Sequence, residues 1–406
     1  MKVLFLSPGY PAEIPYFVRG LGSVGATVLG IGDGPAAGIP EVARRHVADY
    51  LPLPKLWDAK ATIAAIRNWP SARGLDRVEC LWEPGMILAA EIREALGLPG
   101  MTVAETHPFR DKEDMKKALD AAGIRTPLHR RANTAHECRE AAEAIGYPLI
   151  IKPIAGAGSA DTYRLDGPED LENALERTRH VPEVSVEEFI EAEEYTFDTI
   201  CAGGKILFFN MCWYRPRPLV ARQNEWVSSQ TIALRDMDAP ELAEGRKMGE
   251  AVIKALGFRD GFTHMEWFRK ADGEAVFGEI AARPPGARTT EIMNYSCDAD
   301  VWTAWAEAVV RGRIDQRMDK RWNAAMIFKR AQGQGRITRI EGLERILAGF
   351  GEHVVSVDLL PIGARRRNWK QTLTSDGWIM LRHPSLEATV QMCDRVGTDL
   401  QLYAGG

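Results

Sequence analysis

The stretch Thr263–Ala287, THMEWFRKADGEAVFGEIAARPPGA, constrains this chain more than any other. Met265, Trp267 and Phe268 suit a pleated surface, and Val276, Phe277 and Ile280 lead the chain back. Asp272-Gly273 between them is a dipeptide favoured in two-residue type I′ turns, so the stretch reads as an antiparallel hairpin. With that loop, Ala271 pairs with Glu274, and Glu266 falls across from Glu279 on the same face. Opposed Cβ atoms sit about 4.5–5.5 Å apart, and like charges so placed repel by roughly 3 kcal/mol at an effective dielectric of about 20. A cation between them removes the conflict. Two carboxylates on stiff neighbouring strands are hard oxygen ligands suited to Mg²⁺ (or Mn²⁺), which takes one or two carboxylates beside phosphate oxygens and water. The alternative is an ordinary surface hairpin with solvated acids, and the rest of the chain has to decide.

At 406 residues, two or three domains are expected. The formal net charge of −5, with no basic stripe in either half, argues against a nucleic-acid partner. Cys80, Cys138, Cys201, Cys212, Cys297 and Cys393 are scattered without a Cys-x-x-Cys, which fits reduced thiols in a cytoplasmic protein. The apolar run Val3–Leu6 is too short for a signal-peptide core, and no stretch approaches the roughly 18 apolar residues of a membrane span.

Over the first hundred residues, strands alternate with helices. Lys2–Ser7, Ala26–Ile31 and Arg77–Trp82 read as strands, and Ile14–Gly22, Ala61–Trp69 and Met86–Leu96 as helices. That alternation implies a doubly wound parallel sheet of the α/β class. Gly20, Gly22 and Gly25 suggest a dinucleotide fingerprint, but they follow a helix and precede a strand, the wrong order for phosphate binding at a helix N-terminus. Glu83, just after a strand, is a candidate substrate contact.

A helix then opens at Asp111, a good N-cap, with Met115, Leu119 and Ala122 as its apolar stripe and Gly123 closing it. Lys112 at its first position works against the helix dipole, which points to an anion that needs it there. Tyr147–Ile154 is a strand with Lys152 among apolar neighbours; the loop Ala155–Asp161 follows, then a strand Thr162–Leu165. The small residues Gly156, Gly158 and Ser159 can fold over phosphates and offer backbone N–H groups without bulk, although such loops also make plain hairpins. Val184–Ile190, Tyr195–Ile200 and Ile206–Tyr214 are further strands, the first two joined by an acid-rich crossover. Arg215 and Arg217, in a proline-stiffened loop, are candidates for holding a carboxylate or phosphate. Val301–Val310 is helical, and from Ala324 a β-rich region follows without a catalytic constellation.

Together these segments resemble the ATP-grasp superfamily of carboxylate–amine ligases, in the amino-acid ligase and biotin-carboxylase-like branch. Asp111-Lys112 with Met115, Ala122-Gly123 and Pro127 resembles the opening of that fold; Ile150-Ile151-Lys152-Pro153 with the loop after it resembles its phosphate-covering flap. Glu187-Glu188-Phe189-Ile190 through Glu194 resembles its adenosine hinge. His264-Met265-Glu266 and Glu279-Ile280-Ala281-Ala282-Arg283 resemble its metal strands. The resemblance implies an N-terminal Rossmann-like domain over residues 1–106 and an α+β ATP-grasp domain of two lobes over 107–314. A small biotin-carboxylase-C-like domain follows over 315–406. It implies that Lys112 and Lys152 contact ATP phosphates, with Lys152 nearer the adenine side. Glu187 would lie at the adenine amine, with Glu188, Phe189 and Ile190 in the hinge and Glu194 at the ribose. Glu266 and Glu279 would hold Mg²⁺, Arg283 would stabilise an acyl phosphate, and Arg288 would bind a substrate carboxylate. His264 joins Arg215 and Arg217 as a further substrate candidate.

The expected activity is amide or peptide bond formation between a small carboxylic acid, plausibly an amino acid, and an amine, with ADP and phosphate released. Small-molecule substrates are the expected partners, with a homodimer as one option. Many relatives have Asn where this chain has Ala281, so the number of metal ions is open. A purine-pathway or carboxylating ligase is the nearest rival, and an ATP-binding regulatory protein without turnover is the rival from another class.

Overall fold

The computed structural model of the protein describes residues 1–155, 161–372 and 374–406. The flap residues Gly156, Gly158 and Ser159 lie outside the described residues. At the amino end, β1 (Lys2–Leu6), β2 (Thr27–Gly32), β3 (Val47–Pro52) and β4 (Arg77–Glu79) form a parallel sheet in the order β3-β2-β1-β4. Val3 and Phe5 pack with Ile14 and Phe17 of α1 (Ile14–Ser23), beside Ala43 of the short α2 (Glu41–Arg44). Leu4 and Leu6 turn the other way, onto Ile66 of α3 (Ala59–Asn68) and Ile92 of α4 (Met86–Leu96). This is the doubly wound arrangement that the alternation implied. The edge strand β3 carries no apolar alternation to announce it, and β4 ends at Glu79 because the chain turns there toward Glu83. Gly20 and Gly22 serve packing, not phosphate: a Cβ on Gly20 would meet the Trp302 carbonyl at 2.7 Å, and one on Gly22 the His46 ring at 2.4 Å.

After α5 (Val103–Thr106) comes α6 (Lys112–Ala121), capped by Asp111, whose carboxylate accepts from the N–H groups of Glu113 and Asp114 at 3.0 Å. A small antiparallel sheet follows in the order β5-β8-β6-β7, built from β5 (His129–Ala132), β6 (Leu149–Pro153), β7 (Tyr163–Leu165) and β8 (Val184–Glu188). One face buries Leu149, Ile151, Val184 and Val186 against α7 (Ala135–Ile145) and α8 (Pro168–Arg177). By strand alternation the other face carries Lys152 and Glu187 toward α6.

The large sheet runs through β9 (Glu193–Ala202), β10 (Lys205–Asn210), β11 (Cys212–Arg215), β12 (Gln230–Ala233), β13 (Gly261–Arg269) and β14 (Ala275–Ala281), with α9 (Pro218–Gln223) and α10 (Ala243–Ala255) between them. Met211 breaks the single strand expected over Ile206–Tyr214 into β10 and β11. After α11 (Thr289–Cys297) and α12 (Val301–Arg311), β15 (Asn323–Phe328) joins the same sheet. β16 (Arg336–Glu341), α13 (Leu343–Phe350), β17 (Val354–Leu359), β18 (Gly377–His383), α14 (Leu386–Asp399) and β19 (Gln401–Gly405) complete the chain. The order is β14-β13-β9-β11-β12-β15-β18-β17, with β10 beside β9 and β16 paired to β19. The sheet therefore continues across the expected boundary at residue 315.

The β13–β14 hairpin reaches the expected pairing of Glu266 with Glu279 by an unexpected route. Its loop has three residues, not two: Lys270 donates to the Glu274 carbonyl at 3.0 Å, and Gly273 closes the turn at φ +90. The register is thereby offset by one residue, with Trp267 opposite Phe277. A bulge at Gly278 restores it before the two acids. Only a residue without Cβ fits there, since a Cβ would lie 2.8 Å from the Glu266 carbonyl oxygen. Gly278→Ala is therefore expected to cost about 1–3 kcal/mol of stability in urea unfolding, the usual range for overpacking. An unchanged midpoint would show that the bulge tolerates a side chain.

Candidate active site

Over Glu194–Asp198 of β9 and His264–Phe268 of β13, one face of the large sheet is polar and the other apolar, and strand parity decides which residue goes where. Tyr195, Phe197, Met265, Trp267, Phe277 and Ile280 belong to the apolar core. Glu194, Thr196 and Asp198 of β9 alternate with those residues, beside Phe268, Glu266 and His264 of β13 and Tyr214 of β11. Glu279 lies next to Glu266 on β14. The lysines face these acids from α6, whose Met115 and Leu119 pack into the large-sheet core, and from β6 of the small sheet. Lys112 extends from the first turn of α6 to Glu279 Oε1 at 3.0 Å, which supplies the anion that its unfavourable position called for. Burial opposes ionisation of Glu279, but the ammonium groups of Lys112 and Lys152 outweigh it and hold the carboxyl below its ordinary value.

Lys152 is not an unpaired ammonium. Its Nζ stands 3.0 Å from Glu187 Oε2, and Lys116 Nζ donates to the other oxygen of Glu187 at 2.7 Å. Lys116 is a site residue that the sequence reading missed, although its place four residues after Lys112 puts both on one helix face. Two buried cations share one buried anion. Burial works against the charge of Glu187, yet the two lysines hold it well below the carboxylate range. For Lys116 burial prevails over Glu187 and the ammonium is pushed down. Lys152 is also buried, but Glu187 and Glu279 together raise it. The triad thus carries surplus positive charge at the wall of the cleft. The expected reach of Glu187 to an adenine amine competes with two ion pairs that already occupy both its oxygens.

Glu194 is buried; its Oε2 accepts from Arg217 Nε at 3.1 Å. Burial, then the charge of Glu266, pushes it up to about 7. Arg217 also donates to the Ile190 carbonyl at 2.6 Å and lies over Phe189 and Phe268, 5.0 and 4.7 Å from their ring centres. It clamps the hinge to the sheet. His264 is held by Asp198 at 2.6 Å through Nδ1, and its Nε2 stands 3.6 Å from Glu266 Oε1. Burial opposes its charge, but Asp198 and Glu266 raise it to about 9. His264 therefore steadies Glu266 and is committed to carboxylates on its own sheet. Opposite it stands Ala281, which has no side-chain oxygen to offer. Tyr214 was also missed; burial, then Glu266 and Asp198, push its phenol well above the ordinary value.

The side chains of two candidates, Arg215 and Glu188, point away from the cleft. Arg215 sits on the face with Trp213, stacked 4.9 Å from its ring centre and paired to Asp394 at 3.1 Å, so parity removes it from the cleft. The Glu188 side chain points away from Glu187 and binds Arg125 at 2.9 Å and the Leu128 N–H at 3.0 Å. Arg283 turns onto Glu83, donating from Nε at 2.9 Å and from Nη2 at 2.8 Å, while Arg110 pairs with the other oxygen. Glu83 is thus a tie between the amino-terminal sheet and the strand that carries Glu279. Arg288 pairs with Glu291 and lies 4.7 Å over the Trp378 ring; its Nε is buried without a hydrogen-bond partner among the described residues.

The donor set fits a hard divalent cation: two facing carboxylates, of which Glu279 already meets an ammonium ion. All six cysteines are free and buried.

A small lysine-bearing sheet closing over a larger carboxylate-bearing one defines a two-lobed protein with an anion-receiving cleft. Residues 117–295 match the ATP-grasp domain family, and residues 26–100 match the ATP-grasp N-terminal domain family. The chain is 27% identical over 234 residues to the L-arginine-specific L-amino acid ligase of Bacillus subtilis, covering 56% of each. It is 31% identical over 186 residues to the formate-dependent phosphoribosylglycinamide formyltransferase of Wolinella succinogenes, covering 44% of this chain and 46% of that one. The chain therefore spans about half the length of the curated relatives it matches. The crystal structure of L-amino acid ligase from Bacillus licheniformis has the same fold over 100% of this chain and 99% of that one, with a TM-score of 0.80 at 20% identity. The chain belongs to the ATP-grasp superfamily. Among the described residues no helix is long and apolar enough to cross a membrane.

Glu187→Gln leaves two buried ammonium groups facing each other and is expected to cost about 3–5 kcal/mol at pH 7. Because folding depresses the pKa of Glu187, its contribution is complete above the ordinary value of 4.5 and is lost as pH falls below it. Urea unfolding of both proteins across pH should show the gap narrowing below that value; a gap constant with pH would contradict the ion-pair assignment.

Proposed function

We propose that this chain is an ATP- and divalent-metal-dependent carboxylate–amine ligase. It would join a small carboxylic acid, an amino acid, to an amine, and release ADP and phosphate. The observation that carries the proposal is the convergence of Glu266 and Glu279 of the large sheet with Lys112 of α6 and Lys152 of the small sheet. The L-amino acid ligases among its relatives support an amino acid as the acid.

A carboxylate is a poor electrophile, so transfer of the γ-phosphoryl group makes the acyl phosphate that an amine displaces. Lys112 and Lys152 would bind phosphate oxygens, and the positive charge of the Lys116–Glu187–Lys152 triad would favour negative charge beside it, a reading the ion pairs of the triad support. Glu266 and Glu279 would hold Mg²⁺ (or Mn²⁺), which when bound neutralises phosphate charge. Glu194 and the Phe189–Ile190 hinge, braced by Arg217, would receive the ribose and base. Arg283, poised by Glu83, would meet the acyl phosphate. Cytoplasmic action fits six unpaired cysteines.

The purine-type alternative rests on the formyltransferase relative, and a nucleotide-binding protein without turnover rests on Ala281. Screening amino acids pairwise for ADP release, with formate and a glycinamide ribonucleotide as a separate arm, distinguishes these readings. Glu279→Gln is expected to lower amine-dependent ADP release by at least about 100-fold, the order of loss on removing one transition-state electrostatic group, with far-UV circular dichroism unchanged. Undiminished turnover would contradict the metal assignment.

A further inference from the structure

We propose that the acid activated by this enzyme carries an aromatic or large apolar side chain, seated on Tyr10, Trp57 and Trp82. The proposal rests on the ligase reading above and names its substrate class. In the sheet order β3-β2-β1-β4, the chain winds one way from β1 and then returns to β1's other side, so the switch point lies between β1 and β4. Open α/β sheets bind ligands outside the carboxyl ends of their strands at such a point. The loop after β1 carries Tyr10, the loop after β4 carries Trp82 and Glu83, and the loop after β3 carries Trp57.

The three rings form one cluster. Tyr10 meets Trp82 at 5.2 Å between centroids and 87°, and Trp57 meets Trp82 at 5.4 Å and 65°. These edge-on contacts leave ring faces open: Tyr10 is 61% exposed and Trp57 48%. Touching aromatic rings with open faces offer a surface on which an apolar or aromatic side chain can stack.

What covers the cluster is indicated by its neighbours. Both switch-point loops are bonded to the segment that leaves the metal strand: Glu83 holds Arg283, and Glu13 accepts from the Arg288 N–H at 2.7 Å. Trp82 is thus one residue from the partner of the arginine assigned to the acyl phosphate. Glu83 is a single carboxylate facing two guanidinium groups, Arg110 and Arg283, and the Arg288 Nε nearby in sequence is a buried donor without a partner. The one-charge excess at Glu83 attracts a substrate carboxylate. An acid whose carboxylate is drawn to Arg283 lies against the residue next to Trp82, and the proposal assigns its side chain to the open ring faces of the cluster.

The test uses the full chain with ATP, Mg²⁺ and hydroxylamine, which captures an acyl phosphate as a hydroxamate whatever the natural amine. Alanine, leucine, phenylalanine, tryptophan, aspartate and arginine are compared as acids. Phenylalanine, tryptophan or leucine should show the lowest KM. Trp57→Ala should raise the KM for phenylalanine about 3- to 10-fold, the factor that one aromatic contact supplies. Trp57→Phe should recover most of that loss, with MgADP affinity unchanged in both variants. A preference for arginine or aspartate, or a KM for phenylalanine indifferent to Trp57→Ala, would overturn the proposal. Equilibrium dialysis of phenylalanine separates the two readings. Binding that Trp57→Ala weakens, without any hydroxamate, keeps the subsite and rejects the ligase reading; no binding rejects the subsite.

Discussion

Two carboxylates forced onto adjacent strands, and the cations that make this tolerable, organise the molecule. Glu266 and Glu279 repel each other at the spacing a sheet imposes. Lys112 answers from the first turn of a helix where its own charge is unfavourable, and Lys152 raises the local positive potential from the opposing sheet. Each feature is a local cost, and together they make a cleft whose two walls bear opposite charge. Such a cleft suits a ligand that brings phosphate and a divalent cation at once.

The same arrangement explains why buried charge is concentrated on the cleft walls. The Lys116–Glu187–Lys152 triad and the Asp198–His264–Glu266 chain are each fixed by hydrogen bonds and ion pairs from neighbouring strands or α6. Behind them the apolar faces pack closely: a Cβ on Gly245 would meet the Trp267 ring at 2.1 Å, and one on Gly249 the Phe197 ring at 2.3 Å. A close-packed layer beneath a polar one holds the carboxylates in register. The amino-terminal sheet is tied to the same centre through Glu83 and Glu13.

Much of this was legible in the sequence, but not always for the reason first given. The doubly wound front, the N-cap at Asp111, the lysine strand and the facing acids follow from local patterns. The hairpin shows the limit of such reasoning. A two-residue turn predicted the right partner for Glu266, because the wrong loop length and the unseen bulge at Gly278 cancel. That the side chains of Arg215 and Glu188 face away from the cleft was not legible, because sequence shows that neighbours alternate but not which parity faces the cleft. Lys116 was missed for a related reason, since its partner Glu187 lies 71 residues away. Glu83 was noticed, but its two arginine partners come from segments that only folding brings together.

The most direct measurement is anomalous diffraction from crystals grown with Mn²⁺ and a non-hydrolysable ATP analogue. The charge arrangement described here predicts a manganese peak bonded to oxygens of both Glu266 and Glu279 at about 2.0–2.3 Å, with analogue phosphates within reach of Lys112 and Lys152. A peak away from both carboxylates, or nucleotide bound outside the cleft between the two sheets, would contradict it.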